Sequence, residues 1–238
     1  MLWYKAWLET RGRFLISLFG ITALCAYSVF HGDRQALSYT KLDYYYAVLH
    51  GSHSLLTMLW VMAVTLLMMG GLLREKALGA ASFTLALPVS RARLMGVRIS
   101  VGVIQALTLV IVPWSVMFLV GSIAGKTHSI SQAWFHIVLL SGGGVLFFAI
   151  ALLISSLIEG EYTSPIVSYG IVIAIAVALT DPSLRAYSPW AYMLGSEYFD
   201  RHKYLLVGPI PWMPVALYVS LAAILAVISV KAIQRREF

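Results

Sequence analysis

Residues 134–158 read WFHIVLLSGGGVLFFAIALLISSLI, a run that contains no Asp, Glu, Lys or Arg. A membrane-spanning helix needs about 20 predominantly apolar residues, so this run is long enough to cross a bilayer. The whole chain of 238 residues has the same character, because 60% of it is apolar and only 11% is charged. Soluble domains are typically about 45–50% apolar and about 25% charged. The composition excludes a soluble enzyme, a secreted domain and a disordered protein, and it indicates a polytopic membrane protein.

Five further apolar runs predict an all-α membrane protein with six transmembrane helices in a single domain, 1–238. The predicted spans lie at about 14–30, 54–73, 97–121, 134–158, 163–180 and 212–230. Segment 1–13 differs, because its apolar residues can share one helical face while its charged residues lie elsewhere. This pattern predicts an N-terminal interfacial helix. Between the spans, 74–96 is predicted to be a long inner segment and 181–211 an aromatic outer loop.

The basic residues predict that both termini are cytoplasmic. In that orientation the inner segments carry 11 of the 17 Lys and Arg residues and the outer segments carry 6. Cytoplasmic segments of membrane proteins are enriched in Lys and Arg. The net charge of +7 is then explained by topology and by contact with the lipid bilayer, and it requires no nucleic-acid partner.

The chain offers no catalytic or cofactor-binding set. Residues 121–127, GSIAGKT, resemble a nucleotide-binding loop but have three residues between the glycines where that loop needs four. The glycines of 140–144, LSGGG, fit close helix packing. A single cysteine, Cys25, excludes a disulfide framework. His50 and His53 are weak metal candidates, an exposed pair on the outer side without a third ligand nearby. We therefore expect neither an enzyme nor a resident cofactor.

The inner segment 74–96 reads REKALGAASFTLALPVSRARLMG and is the most informative stretch of the chain. A helix continuing inward from the second span should end near Leu87, because the residue before a proline is disfavoured in helical geometry. Ser90 is then the expected N-cap of the helix that follows. The result is a short apolar and basic elbow in the cytoplasm. A simple topology anchor would explain its arginines but not its Glu75, Gly79 and Pro88.

This segment resembles the inner loop of ABC transporter permeases of the ABC-2 type, whose common pattern runs E-R-E-x-G-T-L-E-x-L-L-x-L-P-V-S-R. The residues that match without a gap are Glu75, Gly79, Leu85, Leu87, Pro88, Val89, Ser90 and Arg91. Lys76 replaces an arginine of the pattern, and Ser82 stands where a glutamate is usual. Beyond 74–96 the resemblance is architectural and includes the six spans, the long last outer loop and the basic C-terminal tail.

The resemblance implies a half-transporter subunit that pairs with a second permease subunit, as a homodimer, and with two copies of an ABC ATPase subunit. ATP and Mg would bind to the ATPase, and none to this chain. The elbow would be a coupling helix on the ATPase. The implied ATPase contacts are Glu75, Lys76, Gly79, Leu87, Pro88, Val89, Ser90, Arg91, Arg93 and, in the second inner turn, Glu159 and Glu161. The implied location is the bacterial inner (plasma) membrane.

Two further features bear on assembly and cargo. Gly170, Ala174 and Ala178 form a small-residue stripe that suits either packing within one subunit or a dimer seam. No Asp, Glu, Lys or Arg lies deep within a predicted span, which favours a neutral or amphiphilic cargo of lipid, peptide, drug or polysaccharide type. The alternatives are a non-transporting sensor or immunity subunit on the same scaffold and an ion-coupled secondary carrier.

The predicted topology can be tested with single cysteines introduced at positions 50, 91 and 128. We expect positions 50 and 128 to react with a membrane-impermeant thiol reagent added outside the cell. Position 91 should react only after the membrane is permeabilised. Labelling of position 91 from outside would overturn the assignment of both termini to the cytoplasm.

Overall fold

The structure is a computed structural model that describes residues 2–31, 41–68, 90–123, 130–158, 163–179, 181, 184, 187–200 and 205–235. For residue 31 and for 41–52 it describes the backbone alone.

The described residues form seven helices and one small antiparallel hairpin. The helices are α1 (Leu2–His31), α2 (Lys41–Leu67), α3 (Arg91–Ile123), α4 (Ile130–Leu157), α5 (Thr163–Ala178), α6 (Pro189–Met193) and α7 (Trp212–Arg235). The hairpin strands are β1 (Phe199–Asp200) and β2 (Leu205–Leu206), with Phe199 opposite Leu206. The all-α prediction is confirmed for this part of the chain, and the hairpin is a local feature between α6 and α7.

Four of the helices are long and apolar enough to cross a membrane, namely α1, α3, α4 and α7. Two shorter apolar helices, His53–Leu67 within α2 and Thr163–Ala178, accompany them. In lipid every backbone N–H and C=O group needs a partner within the protein, and a helix supplies these partners internally. By length and composition the chain is therefore a multi-pass membrane protein.

Some predicted boundaries are wrong. Helix α1 runs without interruption from Leu2 to His31, so no helix boundary separates 1–13 from the first predicted span. Helix α2 begins at Lys41, which makes 41–53 helical where an outer loop was expected. Helix α3 begins at Arg91, so the last residues of segment 74–96 form its first turns. Helices α2 and α3 thus extend into sequence that hydropathy alone assigns to loops.

Helix α4 lies at the centre of the bundle, and more than half of its residues are buried. Its glycines let neighbouring elements approach closely, as the sequence predicted. A Cβ atom added at Gly143 would lie 2.6 Å from Cγ of Met193 and 3.0 Å from the carbonyl oxygen of Pro189. A Cβ atom at Gly144 would overlap the ring of Trp60. Trp60 is itself buried, and its indole Nε1 donates to the carbonyl of Ala106 at 2.9 Å.

The substitution Gly144→Ala should destabilise the protein by about 1–3 kcal/mol, because overpacking a dense interior forces side chains from their preferred rotamers. Gly20→Ala is the matched control, since a Cβ atom there meets nothing within 4 Å. The control should be neutral or slightly stabilising because alanine favours helix. Thermal unfolding of the two variants in detergent measures the difference. Equal melting temperatures would contradict the close packing of α4 against α2.

Candidate functional site

The described part of the predicted elbow is its outgoing end, where Ser90 caps α3. The backbone N–H of Arg93 donates to the side-chain oxygen of Ser90 at 3.3 Å, and the N–H of Leu94 donates to the Ser90 carbonyl at 3.1 Å. Such a cap satisfies N–H groups that have no partner within the helix. The predicted N-cap is therefore confirmed.

The side chains that follow Ser90 are accessible. Ser90 and Arg93 are exposed, and Arg91 is half-buried. The Nη1 atom of Arg91 donates to the carbonyl of Gln234 at 3.5 Å, which joins the beginning of α3 to the end of α7. This end of the bundle thus presents guanidinium groups on a capped helix terminus. The other predicted ATPase contacts, Glu75, Lys76, Gly79, Leu87, Pro88, Val89, Glu159 and Glu161, lie outside the described residues.

The small-residue stripe of α5 is exposed. Gly170, Ala174 and Ala178 all lie on the surface of the chain, and a Cβ atom at Gly170 would meet nothing within 4 Å. Of the two interpretations of the stripe, packing within one subunit finds no support in these contacts. The stripe is available to lipid or to another protein.

A buried cluster of imidazole and indole rings joins α2, α3 and α4. His53 is 0% exposed, Trp114 is 1% exposed and His136 is 6% exposed. The rings of His53 and His136 meet edge to face with centroids 4.6 Å apart, and Trp114 stacks on His136 at the same distance. The expected exposed pair of His50 and His53 is wrong for His53, whose ring faces the bundle interior.

Each histidine of the cluster bonds to a backbone carbonyl. The Nε2 atom of His53 lies 2.6 Å from the carbonyl oxygen of Met193, the last residue of α6. The Nδ1 atom of His136 lies 2.8 Å from the carbonyl oxygen of Gln132. A carbonyl only accepts, so the proton is on Nε2 in His53 and on Nδ1 in His136. Within the described residues no three His, Cys, Asp or Glu side chains come together as metal ligands.

The segment between α5 and α7 is held on the first turn of α4 by an amide side chain. The Nε2 atom of Gln132 donates to the carbonyl of Leu206 at 2.9 Å, and its Oε1 atom accepts from the N–H of Leu206 at 3.0 Å. Gln132 therefore pairs with β2 much as a neighbouring strand would. This pairing and the His53 bond to Met193 fix the segment at two points.

Tyrosines of the segment between α5 and α7 pack together. The rings of Tyr192 and Tyr198 meet edge to face at 6.3 Å, and Tyr198 lies 6.2 Å from the ring of Phe135. Burial, followed by the neighbouring Tyr198 and Tyr218, raises the pKa of Tyr192. Burial, followed by the charge of Glu197, raises the pKa of Tyr198. Both phenols therefore stay neutral at physiological pH, and their rings pack within this cluster.

An apolar groove opens between the C-terminal half of α3 and the N-terminal half of α4. It has a volume of about 340 Å³ and is lined by Trp114, Phe118, Leu119, Ile130, Trp134 and Ile137. Small-molecule sites usually occupy about 300–1,000 Å³ and are lined mostly by apolar and aromatic side chains. The groove therefore has the size and lining of a site for a small apolar group.

Sequence reasoning missed the pairing of His53 with His136, which are far apart along the chain. A histidine that directly precedes the apolar run 54–67 is the signal that could have placed His53 inside the bundle. Comparison with known proteins adds no further assignment, because no protein-family model and no curated protein matches the chain significantly.

The substitution His53→Phe should destabilise the protein by about 1–3 kcal/mol, because it leaves the buried Met193 carbonyl without its imidazole donor. His136→Phe is the matched control. The carbonyl that loses its imidazole donor in this control belongs to Gln132, four residues earlier in the same helix. That carbonyl stays within the helical hydrogen-bond ladder. Thermal unfolding in detergent should rank His53→Phe below His136→Phe. Equal losses would show that the bond to Met193 contributes nothing of its own.

Proposed function

We propose that the chain is the transmembrane permease subunit of an ATP-driven exporter of the ABC-2 type. One observation carries the proposal: the gapless match from Glu75 to Arg91, which ends at a helix start capped by Ser90. The match accounts for an acidic residue, a glycine and a proline at fixed spacing, whereas a topology anchor requires only basic residues.

The arrangement of the inner end supports this function. In the proposal 74–96 is a cytoplasmic coupling segment, and its elbow after Pro88 is a coupling helix that docks on a separate ABC ATPase subunit. Arg93 is exposed and Arg91 is half-buried, so the basic side chains of the outgoing end are accessible to an acidic surface. Arg91 also contacts α7, which gives the docked segment a mechanical connection to the last span.

The proposed mechanism is alternating access. ATP and Mg bind to the ATPase pair, whose closure moves the coupling helices of two permease subunits. The pathway between the subunits then opens to the outside. Such a change requires the ATPase to contact the two permease states with different affinity, so that nucleotide binding shifts their populations. This chain supplies no catalytic residue to hydrolysis.

The proposed assembly is a homodimer of this chain with two ATPase copies in a bacterial inner (plasma) membrane. Six spans and two cytoplasmic termini complete the proposed topology. The exposed stripe of Gly170, Ala174 and Ala178 supports a dimer seam, since small residues let two helices pack closely in lipid.

The proposed cargo is neutral or amphiphilic. The groove between α3 and α4 is apolar apart from Ser115 and opens on the outer half of the bundle. No Asp, Glu, Lys or Arg lies deep within a predicted span. Both features suit a cargo with an apolar part, of lipid, peptide, drug or polysaccharide type.

A second candidate function is a proton-coupled secondary carrier. The buried rings of His53 and His136 favour it, because ionisable side chains inside membrane proteins often serve proton transfer. The two candidates differ in their need for ATP. A carrier would work without any ATPase subunit, whereas the exporter depends on one.

The double substitution Arg91→Glu and Arg93→Glu tests the exporter proposal. The chain is produced in its host cell, which also makes the ATPases. The amount of ATPase that co-purifies with the chain is then measured. Stranding a charge at an interface typically costs about 2–5 kcal/mol, so the double variant should retain at least tenfold less ATPase. The matched control is Lys231→Glu with Arg235→Glu, which reverses two exposed inner charges on α7 and should retain the ATPase.

Membrane insertion is measured alongside, because both variants lose two inner positive charges. Arg74, Lys76 and Arg98 remain beside the same spans in the Arg91 and Arg93 variant, so its insertion should survive. If the inserted variant retains its ATPase and exports normally, the elbow is only a topology anchor. If the parent chain binds no ATPase at all, the carrier becomes the better assignment.

A further inference from the structure

Two arginines from different helices bind the carbonyl groups at the inner end of α2. The Nη1 atom of Arg13 donates to the carbonyl of Leu66 at 2.8 Å, and the Nη2 atom of Arg98 donates to the carbonyl of Met68 at 3.1 Å. The last four carbonyls of a helix have no partner within the helix. Cationic side chains there both satisfy them and interact favourably with the helix dipole. We call Arg13, Arg98, Leu66 and Met68, together with Glu9, the inner clamp.

Glu9 joins the two arginines. Its backbone carbonyl accepts from Nη2 of Arg13 at 2.9 Å, and its Oε2 atom lies 3.9 Å from Nη1 of Arg98. Its Oε1 atom lies 3.9 Å from Nζ of Lys5. The side chain of Arg98 is only 12% exposed, and therefore its contacts are less screened by solvent than those of a surface ion pair. Arg98, on α3, thus contacts α1 and α2 at once.

The inner clamp lies at the base of the elbow. Met68 is the last described residue before the elbow, and Ser90 is the first described residue after it. Arg98 follows Ser90 by about two helical turns and reaches back to the Met68 carbonyl. Its hydrogen bond therefore joins the incoming and outgoing stems of the segment 69–89.

Two buried hydrogen bonds continue these connections into the bundle. The Nε2 atom of Gln105 donates to the hydroxyl of Thr10 at 2.8 Å, which ties α3 to α1. The Nε1 atom of Trp60 donates to the carbonyl of Ala106 at 2.9 Å, which ties α2 to α3. Gln105 is 2% exposed and Trp60 is 2% exposed, so both bonds lie away from water. The inner ends of α1, α2 and α3 are consequently held together at several levels.

We propose that Arg13 and Arg98 are positioning residues through which displacement of the elbow moves α1 and α3 together with α2. The inference rests on the proposed function, since it needs a partner that moves the elbow. Arginine suits this role because its planar guanidinium can donate to two acceptors in fixed directions, and lysine offers only a single ammonium. If the two arginines only capped α2, they would stabilise this helix but would not transmit the displacement of the elbow to α1 and α3.

The experiment uses the complex of the chain with the ATPase that co-purifies with it, reconstituted in lipid vesicles. Ile123, at the outer end of α3, is 84% exposed and is replaced by cysteine as a reporter. A maleimide labels this cysteine with and without ATP plus vanadate, and ATP hydrolysis is measured in parallel. The variants are Arg13→Gln, Arg98→Gln and Arg98→Lys. Arg11→Gln is the matched control, because Arg11 is an exposed arginine on the same helix as Arg13.

We expect ATP to change the labelling rate in the parent and in Arg11→Gln. In Arg13→Gln and Arg98→Gln the ATP-dependent change should fall at least fivefold, while the ATPase stays bound and hydrolyses ATP. Arg98→Lys should restore part of the change, because it keeps a cation beside Glu9 and one donor for the Met68 carbonyl. A full ATP-dependent change in both glutamine variants would overturn the inference.

Failure of the proposed function has a different signature. A parent chain that binds no ATPase, or whose labelling ignores ATP, would overturn the exporter assignment and this inference together. If the glutamine variants unfold, Glu9→Gln replaces them, since it removes the carboxylate link between α1 and α3 and leaves both carbonyl caps in place. Glu9→Gln should then reduce the ATP-dependent change at least twofold, and an unchanged response would overturn the inference.

Discussion

The structure depends on one constraint, which is that backbone polar groups inside a bilayer must find partners within the protein. Within a helix the backbone N–H and C=O groups bond to one another, but the groups at its two ends have no partner in the helix. The ends in this chain carry specific solutions. Ser90 satisfies an N–H at the start of α3, Arg13 and Arg98 satisfy carbonyls at the end of α2, and His53 bonds to the last carbonyl of α6. These polar side chains thus satisfy backbone groups where helices begin and end.

A second requirement is that the helices pack closely against one another, and the packing around α4 meets it. Lipid tails are as apolar as the helix surfaces, so close contact and hydrogen bonding, rather than the hydrophobic effect, bring helices together. The glycines 142–144 provide that contact by accepting Val215, Met193 and Trp60 against the helix backbone. The bundle is therefore tight at its centre, while α1 and α7 carry many exposed apolar side chains that face lipid.

Hydropathy located the apolar helices of the described residues because it depends on local composition alone; four of them are long enough to cross a membrane and two are shorter. It could not predict that His53 is buried, since the partners are His136 on α4 and Met193 on α6, both distant in sequence. The basic pattern placed Arg13 and Arg98 in the predicted inner segments, but their hydrogen bonds depend on which carbonyls lie beside them in the fold. The N-cap at Ser90 was predictable because a proline and a serine at fixed spacing are a local signal. Most of the proposed ATPase contacts precede Ser90 and lie outside the described residues, so the elbow is supported by its sequence match and by the helix that leaves it.

The pairing of Gln132 with Leu206 has a consequence for how this protein can vary during evolution. Each residue advances a helix by about 100°, so one residue inserted between Gln132 and the glycines 142–144 would turn the amide away from β2 while the glycines stayed in contact. The spacing between Gln132 and Gly142 is therefore fixed from both sides. The first turns of α4 should therefore keep a constant length in any sequence that retains the hairpin.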